Sequence, residues 1–259
     1  MIVTLDPVAT TSRVTAAMRA VESDRPDRLF SDPFAATLAG DAGRELAARM
    51  GAGDTIAVRT HFIDDGVLSA SAPQLVLVAA GMDTRAWRLD LPAGSTVYEM
   101  DRPAVLDLKA HLLAGAATRA ARVPVGADLT GDWSTALHAA GHDPDRPTCW
   151  VVEGLTQYLP ERALLDLLDA VTARSAAGSH LLLDVVGATL LRDPSAAPLL
   201  AAMAAQGSPW IFATDDPAPM LVERGWTCEV RGFATYTAEL GREAGLRGDE
   251  LGFLVHATV

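Results

Sequence analysis

Lysine is almost absent from this chain. Of 21 basic residues in 259, only Lys109 is a lysine, and the other twenty are arginine. A phosphate-cradling loop of the G-x-x-x-x-G-K-[ST] type needs a lysine after its glycines, and none stands there, which argues against a P-loop nucleotide binder. Cysteine is scarce as well: Cys149 and Cys228 cannot build a disulfide framework, and such a pair suits a reducing cytosol. Positive charge is in deficit, with 33 acids giving a formal net charge of −12. A chain this acidic lacks the basic face that nucleic-acid phosphates require. Long apolar runs are missing: stretches such as Leu75 to Met82 are far shorter than a membrane span. No basic region precedes an apolar run near the N-terminus, so no export signal is expected and a cytoplasmic location is. Hydrophobic residues make up 49%, enough for one sizeable core without staples.

Residues 1–70 read as helical. Ser12 is a cap for a helix to about Glu22, Asp32-Pro33 opens another, and Asp54 a third. The pattern then changes to short apolar runs. Strands are expected at 74–78, 96–100, 121–125, 149–152 and 180–183. Helices are expected over 102–114, capped by Asp101, over 133–140, and from Pro160 onward with Leu164, Leu165, Leu168 and Val171 on one face. This alternation implies right-handed βαβ units in an open, doubly wound parallel sheet. Residues 187–225, with five prolines, break the rhythm and read as an insertion over one sheet edge. Strand candidates at 228–230 and 253–256 would close the sheet as a hairpin, making seven strands. The expected organisation of 1–259 is one domain: helices in 1–70, a core in 71–186, an insertion or lid in 187–225, and closing strands in 226–259.

In such sheets ligands bind beyond the carboxyl ends of the strands. Those ends deliver Ala79-Ala80-Gly81-Met82-Asp83, then Glu99-Met100-Asp101, then Gly126-Ala127-Asp128-Leu129, then Glu153-Gly154-Leu155. An acid after the second strand is placed to accept from ribose hydroxyls, and Gly81 lets a backbone approach a ligand. A dinucleotide turn wants G-x-G-x-x-G, but its positions read Ala79, Gly81 and Thr84, so a nicotinamide-dependent dehydrogenase is disfavoured. S-adenosylmethionine carries adenosine without phosphate and fits the ends better. Read alone, each residue also has a plain structural part as a cap or a turn. His138 and His142 stand at i, i+4 spacing without a third ligand, so they read as a solvated helix end rather than a metal site. Cys149, Trp133 and Trp150 read as core.

The stretch Leu75-Val-Leu-Val-Ala-Ala-Gly-Met-Asp-Thr-Arg-Ala-Trp-Arg-Leu89 resembles the first motif of the leucine carboxyl methyltransferase family. Val97 to Lys109 is similar to the second motif, Asp128-Leu129 to the third, and Glu153-Gly-Leu-Thr-Gln-Tyr-Leu159 to the fourth. Arg19-Ala20-Val21-Glu22, Leu29 to Pro33, Arg59-Thr60, Asp64-Asp65, Ser208-Pro209-Trp210 and Asp215 to Trp226 extend the likeness over nearly the whole chain. The resemblance implies a class I, Rossmann-like methyltransferase that uses S-adenosylmethionine. By motif position, Arg19 and Arg59 would bind the cofactor's carboxylate, Gly81 would lie against its methionine part, and Asp101 would hold the ribose. Asp128 and Leu129 would flank the adenine, and Glu153 would accept from the ammonium. Family members usually carry glycine where Ala79 stands.

A carboxylate with a pKa of about 4 is already a nucleophile at neutral pH and needs no general base, whereas a phenol at about 10 needs one. No base constellation is visible at the strand ends, so the expected acceptor is a small-molecule carboxylate. A phenol or other hydroxyl is the alternative, and a non-catalytic cofactor-binding protein of the same fold is another. Tyr158 and Arg85 are the candidate positioning residues for the acceptor, Arg85 as a bidentate partner for a carboxylate. The oligomeric state is not legible.

Overall fold

The structure, a computed structural model, describes residues 7–50, 54–243 and 252–259. The chain opens with α1 (Pro7–Ser23), α2 (Ala35–Met50) and α3 (Thr55–Ala70), then enters β1 (Gln74–Val78). There follow α4 (Arg85–Arg88), β2 (Thr96–Asp101), α5 (Pro103–Leu112), β3 (Ala121–Gly126), α6 (Trp133–Ala139) and β4 (Thr148–Val152). A 3-10 turn at Thr156–Tyr158 leads to α7 (Glu161–Thr172) and β5 (His180–Val186). The inserted segment supplies α8 (Ala188–Arg192), α9 (Ala197–Ala205) and α10 (Ala218–Val222), and the chain ends with β6 (Thr227–Gly232), α11 (Phe233–Glu239) and β7 (Gly252–Thr258).

The seven strands lie in the order β3-β2-β1-β4-β5-β7-β6. The first five are parallel, and β7 runs antiparallel to both β5 and β6. The expected doubly wound, mostly parallel sheet is what forms. Strands β6 and β7 pair as expected, but β7 inserts between β5 and β6, so the last strand is interior and the sixth forms the edge.

Strand β1 is buried along its whole length because helices cover both faces. Its alternate residues serve two cores. Leu75 and Leu77 join Val58, Ile63 and Val67 of α3 and Ala16 and Ala17 of α1. Val76 and Val78 join Trp133, Leu137, Leu164, Leu168 and Trp150 on the other face. A continuous apolar run is the residue pattern that such two-sided burial demands. Burying each large aliphatic side chain contributes about 1.5–3 kcal/mol.

Some local expectations are corrected. Ser12 does not cap α1, which already runs from Pro7; the Ser12 hydroxyl instead donates to the Ala9 carbonyl at 2.6 Å, the back-bond open to a serine inside a helix. Asp101 is the last residue of β2, and Arg102 is the N-cap of α5, with Pro103 in its first turn. The α4 and α11 helices, only four and seven residues long, are too short for the apolar period to mark them. His142 is not a solvated helix end: it is 3% exposed and its Nε2 pairs with Thr148 Oγ1 at 3.0 Å. Cys149, Trp133 and Trp150 are core, as read. No helix is long and apolar enough to cross a membrane, and no group of three His, Cys, Asp or Glu is arranged to hold a metal, both among the described residues.

Candidate cofactor cleft

The parallel strands deliver their carboxyl ends to one edge of the sheet, and a cleft of about 430 Å³ opens there. That volume lies in the range of small-ligand sites. Its floor comes from the β1 turn (Leu77–Asp83), Asp101 of β2, the segment Ala127–Thr130 after β3, and Glu153–Leu155 after β4. Helix α1 forms one wall with Ala9, Thr11, Ser12, Thr15 and Arg19, and α3 contributes Arg59. Arg19, Arg59, Gly81, Asp101, Asp128, Leu129, Glu153 and Tyr158 all line it.

At one end the cleft is strongly ionic. Glu153 is held between two guanidinium groups: Arg59 Nε donates at 3.0 Å and Arg85 Nη1 at 2.8 Å. Burial works against the charged carboxyl, but Arg85, Arg59 and Arg19 outweigh it and bring Glu153 down to about 2. It is therefore a fixed anion at neutral pH. Arg59 also donates to Asp184 Oδ2 at 3.2 Å, and Asp184 accepts from the Gly154 N–H at 2.6 Å. Gly154 has φ +64°, and a Cβ there would lie 3.1 Å from Arg59 Nη1. The absent side chain thus makes the bed on which Arg59 rests.

In the middle of the cleft Asp101 accepts from the Gly81 N–H and from the Arg102 N–H, each at 2.7 Å. Burial pushes its carboxyl up, against those two bonds. Gly81 takes φ +47°, and a Cβ on it would meet the Ser12 Cβ at 2.8 Å, so α1 seats directly on this turn. Ala79 in the same turn also has a positive φ of 55°, a conformation costing a residue with a Cβ about 1–2 kcal/mol. At the far end Asp128 is exposed and folds back on Thr130, accepting from its N–H at 2.9 Å and its hydroxyl at 2.8 Å. Those bonds hold its carboxyl below the usual range.

Two placements differ from expectation. Arg85 is 1% exposed and is not among the cleft residues; its guanidinium is committed to Asp64, Asp83 and Glu153. An acceptor carboxylate would have to break that cluster, so Arg85 is a support for Glu153 and not a substrate clamp. The segment 187–225 also contributes no cleft residue. It is tied behind the 3-10 turn, with Ile211 N–H donating to the Gln157 carbonyl at 2.7 Å and Thr214 N–H to that of Val186 at 3.0 Å. The nearer wall is α1. Sequence reasoning passed over Asp184, although an acid ending the run Leu181-Leu-Leu183 carries the same strand-end signal as Asp101. Asp64 stands in the sequence only as part of the Asp64-Asp65 motif, and its bonds to Arg85 and Arg88 have no local sequence signal.

A family model for leucine carboxyl methyltransferase matches residues 12–172, more than half of the chain. A candidate S-adenosyl-L-methionine-dependent methyltransferase from Mycolicibacterium gilvum is 44% identical over 67% of this chain and 65% of its own length. Relatives named in the same way from Mycobacterium sp. strain KMS and Streptomyces avermitilis are 37% and 39% identical. They cover 91% and 88% of this chain, and 88% and 86% of their own lengths. Two solved structures share the fold with TM-scores of 0.64. One is a DUF574 family protein from Streptomyces avermitilis at 16% identity, covering 94% of this chain and 96% of that one. The other is a candidate methyltransferase from Thermobifida fusca at 17%, covering 95% and 93%.

Proposed function

Because the chain belongs to the leucine carboxyl methyltransferase family and its relatives are named as S-adenosylmethionine-dependent methyltransferases, we propose that it methylates a small-molecule carboxylate to a methyl ester. The donor set of the cleft fits the cofactor. Arg19 and Arg59 supply cations for its carboxylate, and Glu153, ionised and fixed, accepts from its ammonium. Asp101, at the end of β2, takes the ribose hydroxyls. Asp128 and Leu129 flank the adenine, and Gly81 lies against the methionine part. When bound, S-adenosylmethionine supplies a methyl group on a sulfonium, open to in-line attack.

One observation carries the choice of acceptor. Among the described residues that line the cleft there is no histidine and no lysine, and its glutamate is locked between arginines. The remaining cleft carboxylates are engaged as well, Asp83 with the Arg85 N–H, Asp101 with the Gly81 and Arg102 N–H groups and Asp128 with Thr130, so a nucleophile entering there meets no uncommitted carboxylate, histidine or lysine to deprotonate it. A carboxylate needs none, and asks only for position and exclusion of water, which together supply about 7–11 kcal/mol. Tyr158, on the 3-10 turn after β4 and at the cleft wall, is the residue that orients the acceptor. The test uses cofactor labelled in its methyl group and a panel of aromatic and aliphatic acids and phenols. The expected product loses its label as methanol in mild alkali. An alkali-stable product means an ether and a hydroxyl acceptor. Cofactor binding without transfer to any acceptor means a binding protein of this fold.

A further inference from the structure

We propose that Asp32 is a positioning residue for the cofactor, acting through Arg19; the inference rests on the reading of Arg19 as a cofactor-carboxylate ligand. Asp32 lies between α1 and α2, outside the cleft lining, and is 2% exposed. Its Oδ2 accepts from Arg19 Nε at 2.9 Å and from Thr84 Oγ1 at 2.8 Å. Its Oδ1 accepts from the Phe34 N–H at 3.1 Å, and its own N–H donates to Ser23 Oγ at 2.8 Å. One carboxylate therefore ties together the end of α1, the approach to α2 and the turn that follows β1.

The consequence falls on Arg19. With Nε on Asp32 and Nη2 donating to the Met82 carbonyl at 2.5 Å, two of its three nitrogens are fixed from behind. The guanidinium plane is thereby set in a residue that lines the cleft beside Gly81 and Met82. An unanchored arginine would have to freeze several torsions when a ligand arrives; this one has them frozen in advance. Asp32 also neutralises the guanidinium, so the ionic end of the cleft is not left with an unpaired buried cation when no anion is bound. Thr84 continues the line of support, since its hydroxyl accepts from Arg88 Nε at 3.1 Å, and Arg88 holds Asp64, the partner of Arg85. The two arginines at the cleft's ionic end are thus braced by one connected set of buried charges.

The test is a double-variant cycle read as the dissociation constant of S-adenosylmethionine by titration calorimetry on the full chain. Arg19→Gln is expected to weaken binding about 30-fold, the loss of a charge-assisted contact. Asp32→Asn, which keeps shape and removes charge, is expected to weaken it about 10-fold. In the Arg19→Gln background, Asp32→Asn is expected to add less than about 2-fold, because its effect runs through the arginine. Thr84→Val, which releases one anchor of Asp32, is expected to show the same pattern with a smaller loss, and it carries the test alone if Asp32→Asn does not fold. Losses that multiply in the double variant mean a merely structural role and overturn the proposal, as does an unchanged constant in Asp32→Asn. If Arg19→Gln leaves the constant unchanged, the ligand reading of Arg19 fails first and the proposal with it.

Discussion

Ala79 is the residue whose chemistry sits least easily in its place. It holds φ at 55° in the turn that carries Gly81 and faces Asp101. Glycine there would relieve about 1–2 kcal/mol of left-handed strain and return about 0.5–1 kcal/mol as unfolded-chain entropy. Ala79→Gly is therefore expected to stabilise the fold by up to about 1 kcal/mol, read as a higher urea midpoint with an unchanged slope. A lower midpoint would mean that the methyl group packs usefully. The same scale separates what could be read in the chain from what could not. Asp101, Asp128 and Glu153 were legible because strand ends project acids into one place. Arg85 looked equally available, yet its burial among Asp64, Asp83 and Glu153 depends on α3 and β4 arriving beside it from distant parts of the chain.

Among the elements, α1 has the largest bearing on the cleft. It supplies Ser12, Thr15 and Arg19 to the wall and rests on Gly81 with no space for a Cβ. Gly81→Ala is expected to lift α1, because its methyl meets Ser12 at 2.8 Å and its φ of +47° suits glycine. The outcome is a loss of about 1–2 kcal/mol of stability and faster amide exchange confined to α1 and the β1 turn, measured by deuterium uptake. Unchanged exchange in α1 would show that the helix is not seated on this glycine. The strands and most long helices were readable from period and punctuation alone. The prolines of 187–225 suggest a lid, but its backbone is fastened to Gln157 and Val186 and the wall of the cleft is made by α1. Nothing in its prolines distinguishes a cover from a buttress, because that depends on which carbonyls it finds.

Taken as a whole, the molecule's response to acid is set by buried imidazoles before its ion pairs. Burial lowers His142 to about 4, and it also lowers His180 and His256. Between pH 6.5 and 4 the unfolded chain therefore binds protons that the folded chain refuses, so stability falls as pH falls through that window. Above pH 6.5 these groups contribute no slope. Glu153 acts in the same direction in a lower window: its stabilisation is complete above its unfolded value near 4.5 and is lost as pH drops toward 2. The expected loss from His142 at pH 5 is about 1–2 kcal/mol relative to pH 7.5. His142→Gln, which keeps a hydrogen bond within reach of Thr148, should remove that part of the difference in urea midpoints. An equal drop in the variant would place the acid sensitivity elsewhere.

The sequence alone determined the alternation of strands and helices, the seven-stranded sheet and the acids at the strand ends. These follow from local rules: apolar period, caps, and the fact that parallel strands send their carboxyl ends to one edge. Its single, misplaced lysine and incomplete glycine pattern also turned the reading away from phosphate-bearing ligands. Only the tertiary structure decided the rest. It placed β7 between β5 and β6, set α1 rather than the late insertion against the cleft, and sorted the arginines into those facing it and those bracing it from behind. An ion pair such as Arg59–Asp184, 125 residues apart, leaves no mark on its neighbours in sequence. It exists because α3 crosses the ends of β4 and β5 and brings a guanidinium within reach of their carboxylates.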